Sequence, residues 1–363
     1  MKNLTLHIIN TVPWSNLNRD DTGTPKRAVI GGVLRGMLSS QAIKRAARTD
    51  YEIRSLDRSV RSTRLAGIVA ERAREINPGR EAKTTEAEAK KLISALVKNA
   101  GGDDVAGKES GTSSWLSMEE IETAAAAVAS GITTVSKGES KGEKEVPIVF
   151  VENGVTGSLS IAAFGRMFAA APHANTVAAI AVSPAISVHK AVIETDYFST
   201  VDDDPKAVHA GASFLGVASY TSGVFYRSVT IDRDQLKRNW TGISADNARE
   251  QLALMIESLI YKLPSGKKNA TAPYVAPLAV LAEEQSHRLA YDFETPVLPG
   301  PDGGYGDQAV KRLAEQRAAA LAFDGGNFGM SLVAGTASGL GSLHAASTSV
   351  EGLGSQIVDW ILA

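Results

Sequence analysis

The sequence predicts an α+β fold in which a sheet is interrupted by a helical lobe, and three patterns carry this prediction. Near the N-terminus, Leu4, Leu6 and Ile8 alternate with polar residues, as in a half-buried strand. A second alternating stretch lies at residues 225–231, and helical periodicity dominates residues 51–98. Strands far apart in the chain with helices between them are typical of an α+β domain that carries an insertion.

The composition excludes several classes of protein. The chain has 363 residues and a mass of 38.1 kDa, with 44% apolar and 21% charged residues, so it can bury a sizeable core and is not a disordered tail protein. It has no cysteine, which excludes disulfides and thiolate metal sites and favours a cytoplasmic location. No apolar run approaches the ~18 residues of a membrane span, and the N-terminus lacks the apolar core of a signal peptide. We therefore expect no membrane partner.

Charge is distributed unevenly along the chain. The formal net charge is −2, yet residues 1–64 carry twelve Lys/Arg against five Asp/Glu, a local net charge of +7. A basic N-terminal region on an acidic body is typical of a protein that binds a polyanion at one surface. The same asymmetry would let copies stack basic face on acidic face.

Residues 16–48 form the most informative stretch. It passes from an acidic turn through glycine and proline to a short helix, which we expect Ser39 or Ser40 to cap. At about 100° per residue, one face of this helix holds three cations and an amide, and the opposite face holds small apolar residues. The first face consists of Gln41, Lys44, Arg45 and Arg48. Such a row favours a nucleic-acid backbone, and the alternative is an ordinary solvated basic face.

The remaining elements follow from local patterns. Ser117 is expected to cap a helix whose first turn holds Glu119 and Glu120, where carboxylates suit the helix dipole. In chain order we further expect a loop at 100–112, a flexible linker at 136–145, strands at 146–151 and 183–188, a long hairpin with its acidic turn at 202–205, helices at 245–261 and 308–321, and a mobile or loosely packed tail at 325–354.

Motifs for catalysis are weak, and we predict no catalytic residue, no metal and no cofactor. Residues 102–108 have the glycine and lysine spacing of a P-loop, but Glu109 stands where Ser or Thr must bind magnesium. The six histidines never pair at metal-ligand spacing. The acidic turn at 202–204 could hold a cation, and Asp20 with Asp21 could serve metal-dependent cleavage of RNA. A metal-dependent ribonuclease therefore stays an alternative function.

A family resemblance is carried by the motifs NLNRDD, SSQ, KRAAR, DYFSTVDD and SGVFYR, in this order. They resemble those of the CasC-type backbone subunit of the type I-E CRISPR surveillance complex, Cascade, in the repeat-associated RNA-binding superfamily. The resemblance implies a non-catalytic subunit of antiviral defence that oligomerises along the guide spacer, kinks it at intervals and presents it for pairing with target DNA. The implied partners are CRISPR RNA, the target DNA strand through guide pairing, other copies of the chain and other Cascade subunits. A general RNA-coating or nucleoid protein is a further alternative.

The same resemblance implies a hand-shaped architecture. A modified ferredoxin-like palm of the RNA-recognition-motif type would comprise residues 1–54, 181–190 and 222–330. Helical fingers would be inserted at 55–180, a thumb hairpin would project at 191–221, and a Gly/Ser/Ala-rich segment would follow at 331–363. The sheet lacks the aromatic run of ordinary RNA-recognition modules, so base stacking on the sheet is not predicted.

The candidate RNA contacts fall into five groups. The family's RNA-backbone positions correspond to Lys26, Ser39, Ser40, Gln41, Lys44, Arg45 and Arg48. The nearby cations Arg19, Arg27 and Arg35 are added for their charge.

The other three groups come, by resemblance, from the fingers, the thumb and a loop of the palm. Arg166 and Met167 match a finger site that packs against kinked bases, although Met167 could also be an ordinary core residue. The wedge at a flipped base corresponds to Tyr197, Phe198 and Ser199, where an aromatic ring replaces lost stacking. Further phosphate contacts are Lys267 and Lys268.

Overall fold

The structure, a computed structural model, describes residues 1–97, 113–137, 144–201 and 212–363, and it divides the chain into two compact units. The first unit comprises residues 1–50, 181–231 and 252–363, and the second comprises 51–180 and 232–251. The predicted loop at 100–112, the glycine-rich stretch 102–108 and the acidic turn at 202–205 lie outside the described residues.

A mostly antiparallel sheet forms the centre of the first unit. In the described part of the chain its ten strands are β1 (Asn3–Ser15), β2 (Arg27–Ile30), β3 (Val33–Leu38), β8 (Ile180–Val182), β9 (Ala185–Ser187), β10 (Ile193–Val201), β11 (Ala212–Asp232), β12 (Ala279–Gln285), β13 (Phe328–Ala334) and β14 (Ala346–Ser347). Their order in the sheet is β14-β13-β12-β1-β11-β9-β3-β2, with β10 and β8 also paired to β11.

Helices are found in both units. In the first unit lie α8 (Lys268–Thr271), α9 (Gly306–Phe323) and α10 (Val350–Leu362), together with the start of α1 (Ser40–Ser55) and the end of α7 (Ala248–Tyr261). In the second lie α2 (Leu65–Ile76), α3 (Ala82–Ser94), α4 (Met118–Ser130), α5 (Leu159–Phe164) and α6 (Arg233–Asn239). No helix of the described segments is long and apolar enough to cross a membrane.

Strand β1 confirms the predicted first strand but not its half-buried character. It pairs with β12 from Asn3 opposite Gln285 to Ile9 opposite Ala279. Alternating apolar side chains such as Leu4 are fully buried, and so are the polar side chains between them. Both faces of the sheet are therefore covered at this strand.

A buried polar network explains how β1 tolerates His7. The His7 ring contacts Glu283 (Nε2 to Oε2, 3.1 Å) and the Tyr226 hydroxyl (2.9 Å). Glu283 also accepts hydrogen bonds from Tyr291 (2.9 Å) and Arg317 (2.6 Å). Burial by itself raises the pKa of Glu283, but the hydrogen bonds from His7 and Arg317 hold that pKa below its ordinary value. The network ties β1, β12 and α9 together.

The expectation of a loose C-terminal tail is wrong. Residues 328–334 form β13, which pairs with β12, and residues 350–362 form α10. Helix α10 buries an apolar stripe that includes Leu353 and Ile357. The Trp360 indole N–H donates to Glu284 Oε1 (2.9 Å), which also binds the N-terminal amine of Met1 (3.0 Å). These contacts anchor the C-terminal helix to the sheet.

The second unit is built on the packing of α2, α3 and α4, whose buried residues form one apolar cluster. The predicted cap of α4 is confirmed: Ser117 Oγ accepts from the Glu120 N–H, and the Glu120 carboxylate accepts from the Ser117 N–H. The second unit also has two short strand pairs, β4 (Ser59–Ser62) with β5 (Ser114–Ser117) and β6 (Thr134–Lys137) with β7 (Lys144–Pro147). The strand predicted at 146–151 overlaps β7 only at its first two residues. The predicted linker at 136–145 thus begins and ends in paired strands.

Candidate nucleic-acid interface

The start of α1 is fixed to the preceding loop through Ser39. Its Oγ accepts a hydrogen bond from the Ala42 N–H (3.3 Å), so Ser39 rather than Ser40 caps the helix. The Ser39 N–H donates to Asn18 Oδ1 (2.8 Å). Ser40 is half-buried, and its hydroxyl contacts Gln41 Oε1 (3.3 Å). The cap therefore sets the direction in which the helix leaves the loop.

The predicted cationic side of α1, called here the α1 basic face (Gln41, Lys44, Arg45, Arg48), is presented to solvent. Gln41 and Arg45 are exposed, whereas Lys44 and Arg48 are partly exposed. Burial lowers the pKa of the Lys44 ammonium below its ordinary value, because a cation that loses part of its hydration is less stable. An anionic ligand would supply the missing stabilisation. The opposite side of the helix packs into the protein, where Ile43 is fully buried.

The loop at residues 16–26 is shaped by its own hydrogen bonds. Asp20 Oδ1 accepts from the Thr22 N–H (3.0 Å), the Thr22 hydroxyl (2.7 Å) and the Thr24 N–H (3.0 Å). The hydrogen bond from the Thr22 hydroxyl is the main cause that lowers the pKa of Asp20, so this carboxylate remains ionised. Asp20 therefore has a structural role in the turn. Arg19 and Asp21 are exposed beside it.

Lys26 and Arg27 follow this loop, and two backbone hydrogen bonds hold Lys26 in place. The Lys26 N–H donates to the Asn18 carbonyl (2.8 Å), and the Lys26 carbonyl accepts from the Met37 N–H (2.8 Å). The loop and β3 are thus connected through the backbone of Lys26. Its side chain is partly exposed, and the Arg27 side chain is exposed at the edge strand β2.

The position of Arg35 corrects the prediction that this residue contacts RNA. Its side chain is fully buried, and the guanidinium donates to the carbonyls of Ser187 (2.8 Å), Phe293 (3.2 Å) and Glu294 (2.9 Å). Strand β3 turns Arg35 towards the protein interior, so the side chain is not available to RNA. Arg35 joins β3 to residues far away in sequence and has a structural role.

Lys267 and Lys268 are presented by a loop that packs on residues 16–26. The Gly266 N–H donates to the Leu17 carbonyl (3.0 Å), and a Cβ at Gly266 would lie 2.5 Å from the same oxygen. Only glycine allows so close an approach. The Lys267 side chain is partly exposed, and the Lys268 side chain is exposed. Sequence reasoning missed Gly266, because the backbone that it touches is remote in the chain.

The predicted hairpin exists, with β10 antiparallel to β11, and its described part carries exposed apolar side chains. Tyr197 is 64% exposed and Phe198 is 40% exposed, and Ser199 is exposed as well. Phe198 faces Gly216 across the ladder, and its ring lies where a Cβ of that glycine would be. On the partner strand, Phe214, Leu215 and Val217 are also exposed. Such a surface is rare on an isolated protein and suits a ligand or another protein.

The two predicted finger residues have different environments within the second unit. Arg166 is buried, and its guanidinium binds both oxygens of the Glu120 carboxylate at 2.5 and 2.6 Å. The prediction of an RNA contact by Arg166 is therefore corrected to a structural ion pair. Met167 is 74% exposed, which excludes the core alternative. Its neighbour Phe168 is buried under the Arg166 guanidinium, so Met167 projects from a fixed base.

Metal binding has little geometric support at the described residues. Among them, no three His, Asp or Glu side chains come together in a way that could hold a metal ion. Asp20 is engaged by the turn, which leaves Asp21 as the exposed carboxylate of the pair. The acidic residues at 202–204 lie outside the described part of the structure.

Comparisons with protein families and solved structures find similar proteins over nearly the whole chain. The family described as CT1975-like protein matches residues 4–354. A chain of a "CRISPR RNA-guided surveillance complex, pre-nicking" is 28% identical with a TM-score of 0.81, and the match covers 99% of this chain and 100% of that chain. A chain of a "CRISPR RNA-guided surveillance complex" is 25% identical with a TM-score of 0.72, and the match covers 99% of each. No curated protein matches the chain.

The predicted α+β fold is confirmed by the central, mostly antiparallel sheet and by the similarity of fold to these solved chains. The family match extends through β13 and into the first residues of α10. The chain belongs to the CT1975-like protein family.

Proposed function

We propose that the chain is an RNA-binding backbone subunit of a CRISPR RNA-guided surveillance complex of the Cascade type. The observation that carries the proposal is the similarity over the whole length to a chain of such a complex, with 28% identity and a TM-score of 0.81. A likeness that covers 99% of one chain and 100% of the other leaves no large part of either protein unaccounted for. It favours a shared role rather than one shared domain.

The surface of the first unit supplies the chemistry that this role needs. The α1 basic face offers cations to phosphates, and Arg19, Lys26 and Arg27 extend the positive surface along the neighbouring loop and strand. Contacts of this kind hold the nucleic-acid backbone and carry no sequence information. Guide RNAs of different sequence would therefore bind equally well, and base pairing would provide specificity.

The finer proposal concerns assembly. We propose a type I-E subunit of which several copies line the guide spacer. Residues 1–54, 181–190 and 222–330 would form an RNA-recognition-like palm, and residues 55–180 would form the fingers. The hairpin of β10 and β11 would act as the thumb, with Tyr197 and Phe198 wedged where the RNA is kinked and one base flipped out. Met167 would pack against the kinked bases. The exposed apolar side chains of the hairpin support this use.

A nuclease-protection experiment tests this proposal. The chain would be reconstituted with CRISPR RNA and the other subunits of its complex, and the RNA would be probed with a single-strand ribonuclease. Protection interrupted at a regular interval is the expected result, because each copy would kink the RNA once. Uniform sensitivity of the spacer, or protection without any repeat, would contradict it.

The ribonuclease alternative is tested in the same preparation. Labelled RNA would be incubated with the chain and magnesium, with Asp21→Ala as the comparison. The proposed backbone role predicts intact RNA in both samples. Cleavage that Asp21→Ala abolishes would establish the alternative instead.

A further inference from the structure

An aromatic stack, formed by Trp14, Tyr220 and Lys267, lies beside the loop at residues 16–26. The Trp14 and Tyr220 rings are stacked with their centroids 3.8 Å apart and an interplanar angle of 23°. The Lys267 ammonium lies 5.0 Å from the Tyr220 ring centroid and 3.4 Å from the Tyr220 hydroxyl. Tyr220 is 6% exposed, whereas Trp14 is 39% exposed. The indole thus has one face packed and a large part of its surface open to solvent.

The backbone holds this stack rigidly. Trp14 lies near the end of β1 and Tyr220 on β11, and Asn16 Nδ2 joins the two by donating to the Ser219 carbonyl (2.8 Å). The third member, Lys267, follows Gly266, which is hydrogen-bonded to Leu17. A ring that is held in place on one face loses little entropy when a ligand stacks on its other face.

Lys267 is held in an unfavourable backbone conformation. Its φ of +49° is in the left-handed region, which is unfavourable for a non-glycine residue. Gly266, the residue before Lys267, packs closely on the loop at residues 16–26. In this conformation the Lys267 ammonium lies over the Tyr220 ring. Strained residues persist where the surrounding structure determines them, and they concentrate at binding sites.

The surface next to the stack is polar and open. A depression of about 510 Å³ is lined by Leu17, Asn18, Arg19, Asp20, Asp21, Gly23 and Gly266. Its walls are mainly backbone and polar groups, which favours a nucleotide over an apolar peptide segment. The neighbouring cations Arg19, Lys267 and Lys268 provide partners for phosphates. Gly266, which lines the depression, directly precedes Lys267 of the stack.

We propose that Trp14 is a stacking site for an unpaired base of the bound RNA, with Lys267 placed for a phosphate beside that base. This inference rests on the proposed function and adds a contact outside the α1 basic face and the hairpin wedge. Aromatic rings accept any base, because each base has a flat π-face. The site would hold a base without reading its identity.

Tryptophan fluorescence tests the proposal directly. Of the four tryptophans, Trp115, Trp240 and Trp360 are at most 8% exposed, so a base that stacks on an indole at the surface quenches Trp14. The isolated chain would be titrated with a single-stranded RNA and with a matched oligonucleotide of abasic residues. Quenching is expected with the RNA and not with the abasic strand, although both supply phosphates.

Binding measurements with variants complete the test. Trp14→Ala should weaken RNA binding about fivefold to a hundredfold, and Trp14→Phe should recover most of the affinity. The matched control is Phe323→Ala, which removes a ring that is 89% exposed on α9 and should leave the affinity unchanged. Circular dichroism and thermal unfolding establish that each variant is folded.

The possible failures are distinguishable. Equal quenching by the abasic strand, or full affinity of Trp14→Ala for RNA, would overturn the stacking site and leave the proposed function intact. Failure of the unaltered chain to bind any RNA would contradict the proposed function itself. A Trp14→Ala variant that binds RNA normally but no longer assembles would assign the indole to a contact between copies, which also overturns the inference.

Discussion

Removal of two charges from the α1 basic face should change the salt dependence of RNA binding in a calculable way. The variant replaces Lys44 and Arg45 by glutamine, which removes both cations and keeps good helix propensity. Lys44 is partly exposed and Arg45 is exposed, and both follow the cap at Ser39. If both side chains contact phosphates, two fewer counterions are released on binding.

The expected magnitude follows from the number of contacts. For a single strand, each phosphate contact contributes about 0.7 to the slope of log K against log salt. The slope of the double variant should therefore be shallower by about 1.4. Between 50 mM and 200 mM salt, this difference changes the ratio of the two affinities by about sevenfold. The variant should therefore lose much more affinity at low salt than at high salt.

Fluorescence anisotropy with two labelled RNAs of unrelated sequence measures this slope. The matched control is Lys90→Gln with Lys91→Gln, which removes the same charge from two exposed side chains of α3. The control should retain the slope of the unaltered chain. The Lys44 and Arg45 variant should give a shallower slope with both RNAs. Parallel lines for the unaltered chain and that variant would refute the role of the α1 basic face.

Three further predictions concern stability and can be measured by urea unfolding. Gly266→Ala should lower the free energy of unfolding by about 1–3 kcal/mol, because the new methyl group overlaps a carbonyl oxygen; an unchanged midpoint would contradict this packing. Glu283→Gln should lower the free energy of unfolding by about 3–5 kcal/mol, because it leaves the Arg317 guanidinium buried without its anionic partner. A loss below about 1 kcal/mol would show that the network is dispensable. Burial lowers the pKa of His189, whose neutral Nε2 accepts a hydrogen bond from the Val224 N–H (3.1 Å). Near pH 6.5 the unfolded chain therefore binds a proton at His189 that the folded chain does not bind. The unfolding free energy should be constant above about pH 6.5 and fall below it, and an equal fall in His189→Gln would assign this dependence to other groups.

Local patterns were enough to predict the α1 basic face and the cap of α4. Both depend on residues three or four positions apart, and helix geometry alone decides which side chains share a side. The strand β1 was found for the same reason, from its period of two. The burial of both its faces was not found, because it depends on elements that pack on the sheet from remote parts of the chain.

Arg35 and Arg166 show where charge alone misleads. Each lies beside residues of the predicted site, and each has its partners far away in sequence. Arg35 binds carbonyls at 187, 293 and 294, and Arg166 binds Glu120. A buried arginine with partners has the same sequence signature as an exposed one. Only the three-dimensional structure separates the two.

The C-terminal segment was misjudged from its composition. Glycine, serine and alanine are common in flexible segments, and they conceal the apolar stripe of α10. Trp360 and Glu284 meet across 76 residues of sequence, which no local pattern reveals. The same limitation hid the aromatic stack, whose members come from β1, β11 and the loop after α7.

The nucleic acid that accompanies the chain tests the proposed function most directly. The chain would be purified from its native host at low salt, and the bound nucleic acid would be extracted and sequenced. The proposed function predicts a uniform population of short RNAs with a common repeat-derived sequence at the ends and different spacers between them. Random cellular RNA, or a preparation without nucleic acid, would contradict it.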